Sequence, residues 1–137
     1  MEANNIPKEI PIQQLRNVRN GMLRLHKALL ESEKITYEYS HGKIPSKGEF
    51  FRLAIEDQWF SWLRPISQFI VLVDETLSAK EPVTFNQVDK LLKEARNLLL
   101  PSEEGTDSQK RYYSAIQNDP EVASLHLEVS RFLSNDA

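Results

Sequence analysis

The apolar positions of this chain predict helices along almost its whole length. From about Pro11 to Tyr39, apolar residues recur at intervals of three and four positions, which places them on one stripe of a long first helix. The stripe consists of Leu15, Val18, Met22, Leu25 and Leu29. The pair His41-Gly42 and the turn at Ile44-Pro45 predict the end of this helix.

The next segment, rich in aromatic residues, predicts two helices that meet at a corner. Ser46 and Glu49 have the spacing of a capping box, so a second helix starts there and ends near Asp57. Pro65 suits the first turn of a third helix, because proline lacks the N–H group that this position leaves unpaired. The run 69–73 is equally typical of a buried strand, but its helical neighbours favour a helix. The inward face of this helix comprises Ile66, Phe69, Ile70, Val73 and Leu77.

Capping signals predict three more helices in the second half of the chain. The signals are Thr84 with Gln87 for the fourth helix, Asp107 or Ser108 for the fifth, and Asp119-Pro120-Glu121 for the last. Pro101 ends the fourth helix, and the last helix runs to about Leu133. We therefore expect an all-α fold, a single-domain helical bundle of five to six helices over residues 11–134, after a flexible N-terminal segment at 1–10.

Composition narrows the classes of protein to which the chain can belong. It has 137 residues, the size of one domain, and no cysteine, which excludes thiol nucleophiles, thiolate metal sites and disulfides. The formal net charge is −3, and no apolar run approaches the length of a membrane span. The basic residues of the first helix lie almost opposite its apolar stripe, where surface helices keep their solvated charges. We expect a cytoplasmic protein that binds neither nucleic acid nor membrane.

The sequence offers no recognisable reaction centre. Glu38 and His41 have the Glu-x-x-His spacing of di-iron bundles, but those sites need the motif on two helices and it occurs once here. The four glycines are isolated, so no phosphate loop is present, and no Gly-x-Ser-x-Gly elbow occurs. We expect no catalytic residue, no metal and no cofactor, and the composition favours a protein that is not an enzyme.

The apolar stripe of the first helix turns polar in its second half. There it continues through Ser32, Glu33, Thr36 and Tyr37. If this half is covered, Glu33 needs a cationic partner, and Arg64 is the best candidate. Asp74 competes with Glu33 for the same arginine.

Three interpretations of this polar half remain open. The first is a buried ion pair between Glu33 and Arg64 that fixes the helix corner. The second is a pocket for a small anionic or aromatic ligand. In the third, the stripe is exposed and the two tryptophans lie on an interaction surface. The candidate ligand-binding residues are His26, Glu33, Tyr37, Trp62 and Arg64, with Asp74 at the edge.

Three segments of the chain resemble a family of small uncharacterised bacterial proteins, a domain of unknown function. The segments are Leu25-His26-Lys27-Ala28-Leu29-Leu30-Glu31, Trp62-Leu63-Arg64-Pro65-Ile66-Ser67 and Val73-Asp74-Glu75. The resemblance spans most of the chain and implies a helical fold and a bacterial cytoplasmic origin. It implies no activity and no catalytic residues.

Two functions from different classes follow from these observations. The first is a protein–protein interaction or regulatory module, because such a module needs only a stable helical scaffold and a surface. It would bind a protein partner or a second copy of itself as a homodimer. The alternative is a small-ligand-binding protein or cryptic enzyme with a polar pocket near His26, Glu33 and Arg64.

Overall fold

The computed structural model describes residues 9–134 as six α-helices and one 3₁₀ segment, without a strand in that range. This confirms the prediction of an all-α bundle. The elements are α1 (Glu9–His41), α2 (Lys47–Glu56), the 3₁₀ segment (Gln58–Leu63), α3 (Arg64–Ser78), α4 (Phe85–Leu98), α5 (Asp107–Asn118) and α6 (Pro120–Ser134). The predicted N-terminal segment lies outside the described residues except for its last two positions, which belong to α1.

Helix α1 is the axis around which the bundle packs. Its 33 residues span about 50 Å, and it contacts α3, α4, α6 and the 3₁₀ segment. All five members of its predicted stripe, Leu15 to Leu29, are fully buried. The long apolar stripe therefore supplies one side of the core, and the shorter helices supply the rest.

The chain turns the predicted corner between α2 and α3 through the 3₁₀ segment. Asp57 ends α2, and its carboxylate accepts a hydrogen bond from the Trp59 backbone N–H at 2.8 Å. Arg64 then donates to the backbone carbonyls of Ala54 and Asp57 at 3.2 and 2.6 Å. The Ala54 carbonyl lies in the last turn of α2, where helical partners are lacking, and the Asp57 carbonyl also accepts from the Phe60 backbone N–H of the 3₁₀ segment at 3.2 Å. The guanidinium therefore caps α2 and fixes the corner. Pro65 lies in the first turn of α3, as predicted.

Two predicted helix starts are confirmed, one of them with a difference. Thr84 and Gln87 form the complete capping box, each side chain accepting a hydrogen bond from the other residue's backbone N–H. Ser46 caps α2 by accepting from the Glu49 backbone N–H at 3.1 Å. The Glu49 carboxylate pairs with Arg52 on the same helix, because the two lie one turn apart.

The cap of α5 differs from the prediction. Thr106 is the N-cap, and it forms a full capping box with Gln109. The predicted caps Asp107 and Ser108 already lie inside the helix, because the Thr106 box satisfies the first backbone N–H groups one position earlier. For α6 the predicted cap Asp119 is correct, since its carboxylate accepts from two N–H groups of the first turn.

Gly21 permits the close contact between α1 and α6. A Cβ atom placed at this glycine would lie 2.7 Å from Cγ2 of Val129, a fully buried residue of α6. Valine is stiff at χ1, so its methyl group cannot move aside without displacing the helix. The absence of a side chain at Gly21 therefore fixes how closely α1 and α6 pack.

We expect Gly21→Ala to lower the free energy of unfolding by about 1–3 kcal/mol, because overpacking outweighs the better helix propensity of alanine. Gly48→Ala is the matched control. Gly48 is also helical, but the nearest atom to its added Cβ is the Ser46 hydroxyl oxygen at 3.9 Å. This control should leave stability unchanged or raise it by up to about 1 kcal/mol. Urea unfolding of both variants measures the difference, and equal stabilities would contradict a steric role for Gly21.

Candidate functional site

An open groove of about 390 Å³ lies where α1, α2 and the start of α3 meet. Its wall is mainly apolar, and two of its apolar side chains remain largely in water: Phe51 is 68% exposed and Ile55 is 53% exposed. Single exposed apolar residues are ordinary on a protein surface, whereas several that meet at one groove mark a candidate binding site. The residues that line the groove are His26, Leu30, Phe51, Ala54, Ile55, Leu63, Arg64, Ser67 and Gln68.

The exposed apolar surface continues beyond the groove along α1 and α3. Leu23 lies three residues before His26 on α1, and Val71 lies one turn after Ser67 on α3, so each faces the same side as its groove neighbour. Both are about half exposed. The continuous surface formed by Leu23, Leu30, Phe51, Ile55 and Val71 is called the apolar groove surface below.

A partly exposed ion pair fixes how α1 and α3 lie beside each other. Arg19 donates to both carboxylate oxygens of Asp74 at 2.7 and 3.0 Å. Leu23 follows Arg19 by one turn of α1, and Val71 precedes Asp74 by one turn of α3. Because the two helices run in opposite directions, Leu23 and Val71 lie on the same side of the ion pair. Asp74 is therefore a partner of Arg19 at the far end of the surface, and it makes no ion pair with Arg64.

None of the described polar side chains that line the groove is negatively charged. Burial lowers the pKa of His26 below its ordinary value, and the Leu63 carbonyl offsets this effect only in part, so the imidazole is uncharged near pH 7. Arg64 lines the groove while the two carbonyls at the end of α2 hold its guanidinium in place. The described residues that line the groove include no aspartate or glutamate.

Glu33 lies at the corner, but its partner is not the predicted one. The Glu33 side chain is 11% exposed, and both of its oxygens accept from one nitrogen of Arg111 on α5, at 3.1 and 3.3 Å. Burial raises the pKa of the Glu33 carboxyl, against the opposing effects of Arg111 and of the Trp62 indole. The predicted pairing with Arg64 is wrong, because Arg64 is engaged by the end of α2 on the groove side.

Aromatic rings enclose the Glu33–Arg111 pair. The Arg111 guanidinium carbon lies 5.3 Å from the ring centroid of Trp59 and 5.7 Å from that of Trp62, within the range of cation–π attraction. Tyr37 packs edge-on against Trp59. Neither buried indole N–H forms a hydrogen bond, although that of Trp62 lies close enough to Glu33 to favour its charged form. The corner is thus a packed cluster of charge and aromatic surface.

The six predicted site residues therefore lie in three places. His26 and Arg64 share the groove. Glu33, Tyr37 and Trp62 belong to the corner cluster with Arg111 and Trp59. Asp74 lies with Arg19.

Sequence reasoning missed two residues that matter, and a signal existed for both. Arg111 precedes the buried Tyr112 and lies one turn before Ala115, which packs on the core, so its side chain starts at the edge of an inward face. Phe51 follows Phe50, which packs on the core. Successive helical residues point about 100° apart, so Phe51 is turned away from the side that Phe50 faces.

A second polar contact joins α5 to α6. The Tyr112 hydroxyl and Nδ1 of His126 lie 2.6 Å apart, and the rings meet edge to face. Burial raises the pKa of Tyr112 and lowers that of His126, so both groups are neutral near pH 7 and share one hydrogen bond. The contact satisfies a buried hydroxyl and requires no further ligand.

Two searches of residues 9–134 gave negative results. No helix in this range combines the length and apolarity needed to span a membrane. No cluster of three or more histidine, aspartate or glutamate side chains within the same range is arranged to hold a metal ion.

Comparison with protein-family models, with curated protein sequences and with solved structures finds no match. The resemblance described for the three segments of the sequence therefore stays a prediction.

We expect Arg111→Met to destabilise the protein by about 2–3 kcal/mol at neutral pH, because it leaves the Glu33 carboxylate buried without its partner. The value is below the 3–5 kcal/mol typical of fully buried pairs, since the Arg111 side chain is 29% exposed. Adding Glu33→Gln in the Arg111→Met background removes the unpaired charge and should restore about half of the loss or more. A double-mutant cycle by urea unfolding measures both, and the absence of any rescue would contradict a charge-pairing role.

The raised pKa of Glu33 gives a second test, which uses pH. The folded state holds the Glu33 proton to a higher pH than the unfolded state, whose carboxyl has the ordinary pKa of 4.5. The stability from this group is therefore fully present below that pKa and is lost as pH rises through the folded-state value. We expect the stability of the wild type relative to Glu33→Gln to fall as the pH rises from below 4.5 through the folded-state pKa of Glu33. A constant or rising difference would show that the pKa of Glu33 is not raised.

Proposed function

We propose that the protein is an interaction module that binds an amphipathic helix of a partner protein on the apolar groove surface. The observation that carries the proposal is a set of exposed apolar side chains that three helices place at or beside one groove: Leu23, Phe51, Ile55 and Val71. Burying such a surface is the dominant favourable term in most protein–protein association. The groove is already formed between packed helices, so binding needs little rearrangement.

The extent of the surface favours a macromolecule over a small ligand. A molecule that filled the 390 Å³ groove would touch Phe51 and Ile55 but would leave Leu23 and Val71, which lie outside the lining, in water. It would also leave the outer face of Phe51 exposed, because that side chain projects from the short helix α2. A partner that covers the whole surface has to extend along α1 for at least the eight residues from Leu23 to Leu30, about 10 Å.

The polarity of the groove favours a helix over an extended segment. An extended segment needs partners for its backbone N–H and C=O groups, which a helix satisfies internally. The groove offers few such partners: its polar side chains are His26, Arg64, Ser67 and Gln68, and Arg64 is already engaged. A helix that presents apolar residues at every third or fourth position matches this lining.

A selection from a phage-displayed library of helical peptides tests the proposal. We expect wild-type protein to enrich peptides with an apolar helical stripe. Phe51→Gln and Ile55→Gln are exposed changes that keep helix propensity and charge. Each should weaken the binding of the best synthetic peptide at least about tenfold, as measured by fluorescence anisotropy. Leu127→Gln is the matched control, because Leu127 is 57% exposed on α6 and should not affect binding.

Several results would overturn the proposal. One is a selection in which no peptide responds to the two groove substitutions. Another is a wild-type dimer that Phe51→Gln dissociates in sedimentation equilibrium, which would make a second copy the occupant. A third is a mass surplus over the 15.9 kDa chain in native mass spectrometry that Arg64→Gln removes, which would favour a small ligand.

A further inference from the structure

Arg64 gives the groove a fixed positive charge without a counter-ion. Two backbone carbonyls orient its guanidinium, but neither carries a formal charge. Among residues 9–134, no carboxylate forms an ion pair with Arg64. An arginine has more donors than these two bonds use, and its planar fork suits a carboxylate. The side chain is therefore oriented in advance for an acidic group that enters the groove.

Lys34 is a second cation close to the groove lining. It follows the lining residue Leu30 by one turn of α1, and its ammonium nitrogen lies 5.2 Å from the ring centroid of Phe50 on α2. Within the described part of the chain it too has no carboxylate partner. The lysine ammonium thus lies beside the apolar groove surface and keeps its charge available.

The nearby acids of α2 do not neutralise these cations. Glu49 and Glu56 both pair with Arg52 on their own helix. Asp57 is directed to the Trp59 backbone N–H. Arg64 and Lys34 therefore keep their positive charges without an ion-pair partner among the described residues, although the whole chain carries a formal net charge of −3.

We infer that the helix bound in the groove carries a glutamate or aspartate next to its apolar stripe, which pairs with Arg64 and is attracted by Lys34. This inference rests on the proposed function, since it specifies the partner of the same groove. Charge-assisted pairing in a partly dry groove supplies orientation, because only one direction of the helix places the acid against Arg64. The apolar stripe supplies most of the contact area, and the acid fixes the register.

The enriched peptides of the same selection test the inference. We expect an acidic residue at one fixed position relative to the stripe. Replacing that residue by its amide, Glu by Gln or Asp by Asn, in the best synthetic peptide should weaken binding to the wild-type protein about tenfold. The ratio of the two affinities should fall towards one with Arg64→Gln, and it should shrink as salt is raised. Leu127→Gln should leave the ratio unchanged.

Arg64→Gln also removes the cap of α2, so Lys34→Gln serves as a second variant that leaves that cap intact. It should lower the ratio by about two- to threefold, in keeping with a more exposed charge. Peptides that need Phe51 and Ile55 but bind equally as acid and amide would overturn the inference and leave the proposed function standing. Peptides that ignore the groove altogether would overturn both. If the ratio is unchanged in Lys34→Gln and is also unchanged in folded Arg64→Gln protein, the acid binds elsewhere and the inference is overturned.

Discussion

The hydrogen bonds from Arg64 to the end of α2 are the constraint on which the rest of this region depends. They join the last carbonyls of one helix to the first residue of the next, across a six-residue 3₁₀ segment. This closes the corner tightly enough to place α2 across the start of α3, which forms the groove. The same turn directs Trp59 and Trp62 towards α5. One side chain thus links the open side of the corner to its packed side.

The packed side shows how a buried acid is accommodated in so small a domain. Glu33 replaces an apolar residue in the stripe of α1, and burial alone would favour its neutral form. Arg111 offsets this cost and attaches α5, whose described residues include one buried side chain, Tyr112. Replacing the pair by apolar residues often leaves stability unchanged or improved, so its value here is in specifying where α5 docks.

Local signals in the sequence predicted the helices well, because caps and periodicity depend on neighbouring residues. The stripe of α1, Pro65 at the start of α3 and the Thr84 box all have causes within a few positions of one another. The partner of Glu33 lies 78 residues away, and no spacing rule links the two. Arg64 was predicted as the partner because it is an arginine between apolar neighbours. The sequence does not show that the carbonyls at the end of α2 need a donor, because this depends on the path of the chain through the corner.

The groove was hard to foresee for the opposite reason. An aromatic run indicates a core, yet Phe51 lies in that run and is mainly exposed. A ten-residue helix is marginal on its own, and within α2 only Leu53 is buried, supported by contacts such as Phe50 against Phe60. Residues that keep such a helix folded and residues that we propose to bind a partner therefore lie side by side on it. A partner that covers Phe51 and Ile55 would stabilise α2 through the same contacts by which it binds, so binding and the order of this helix are thermodynamically coupled.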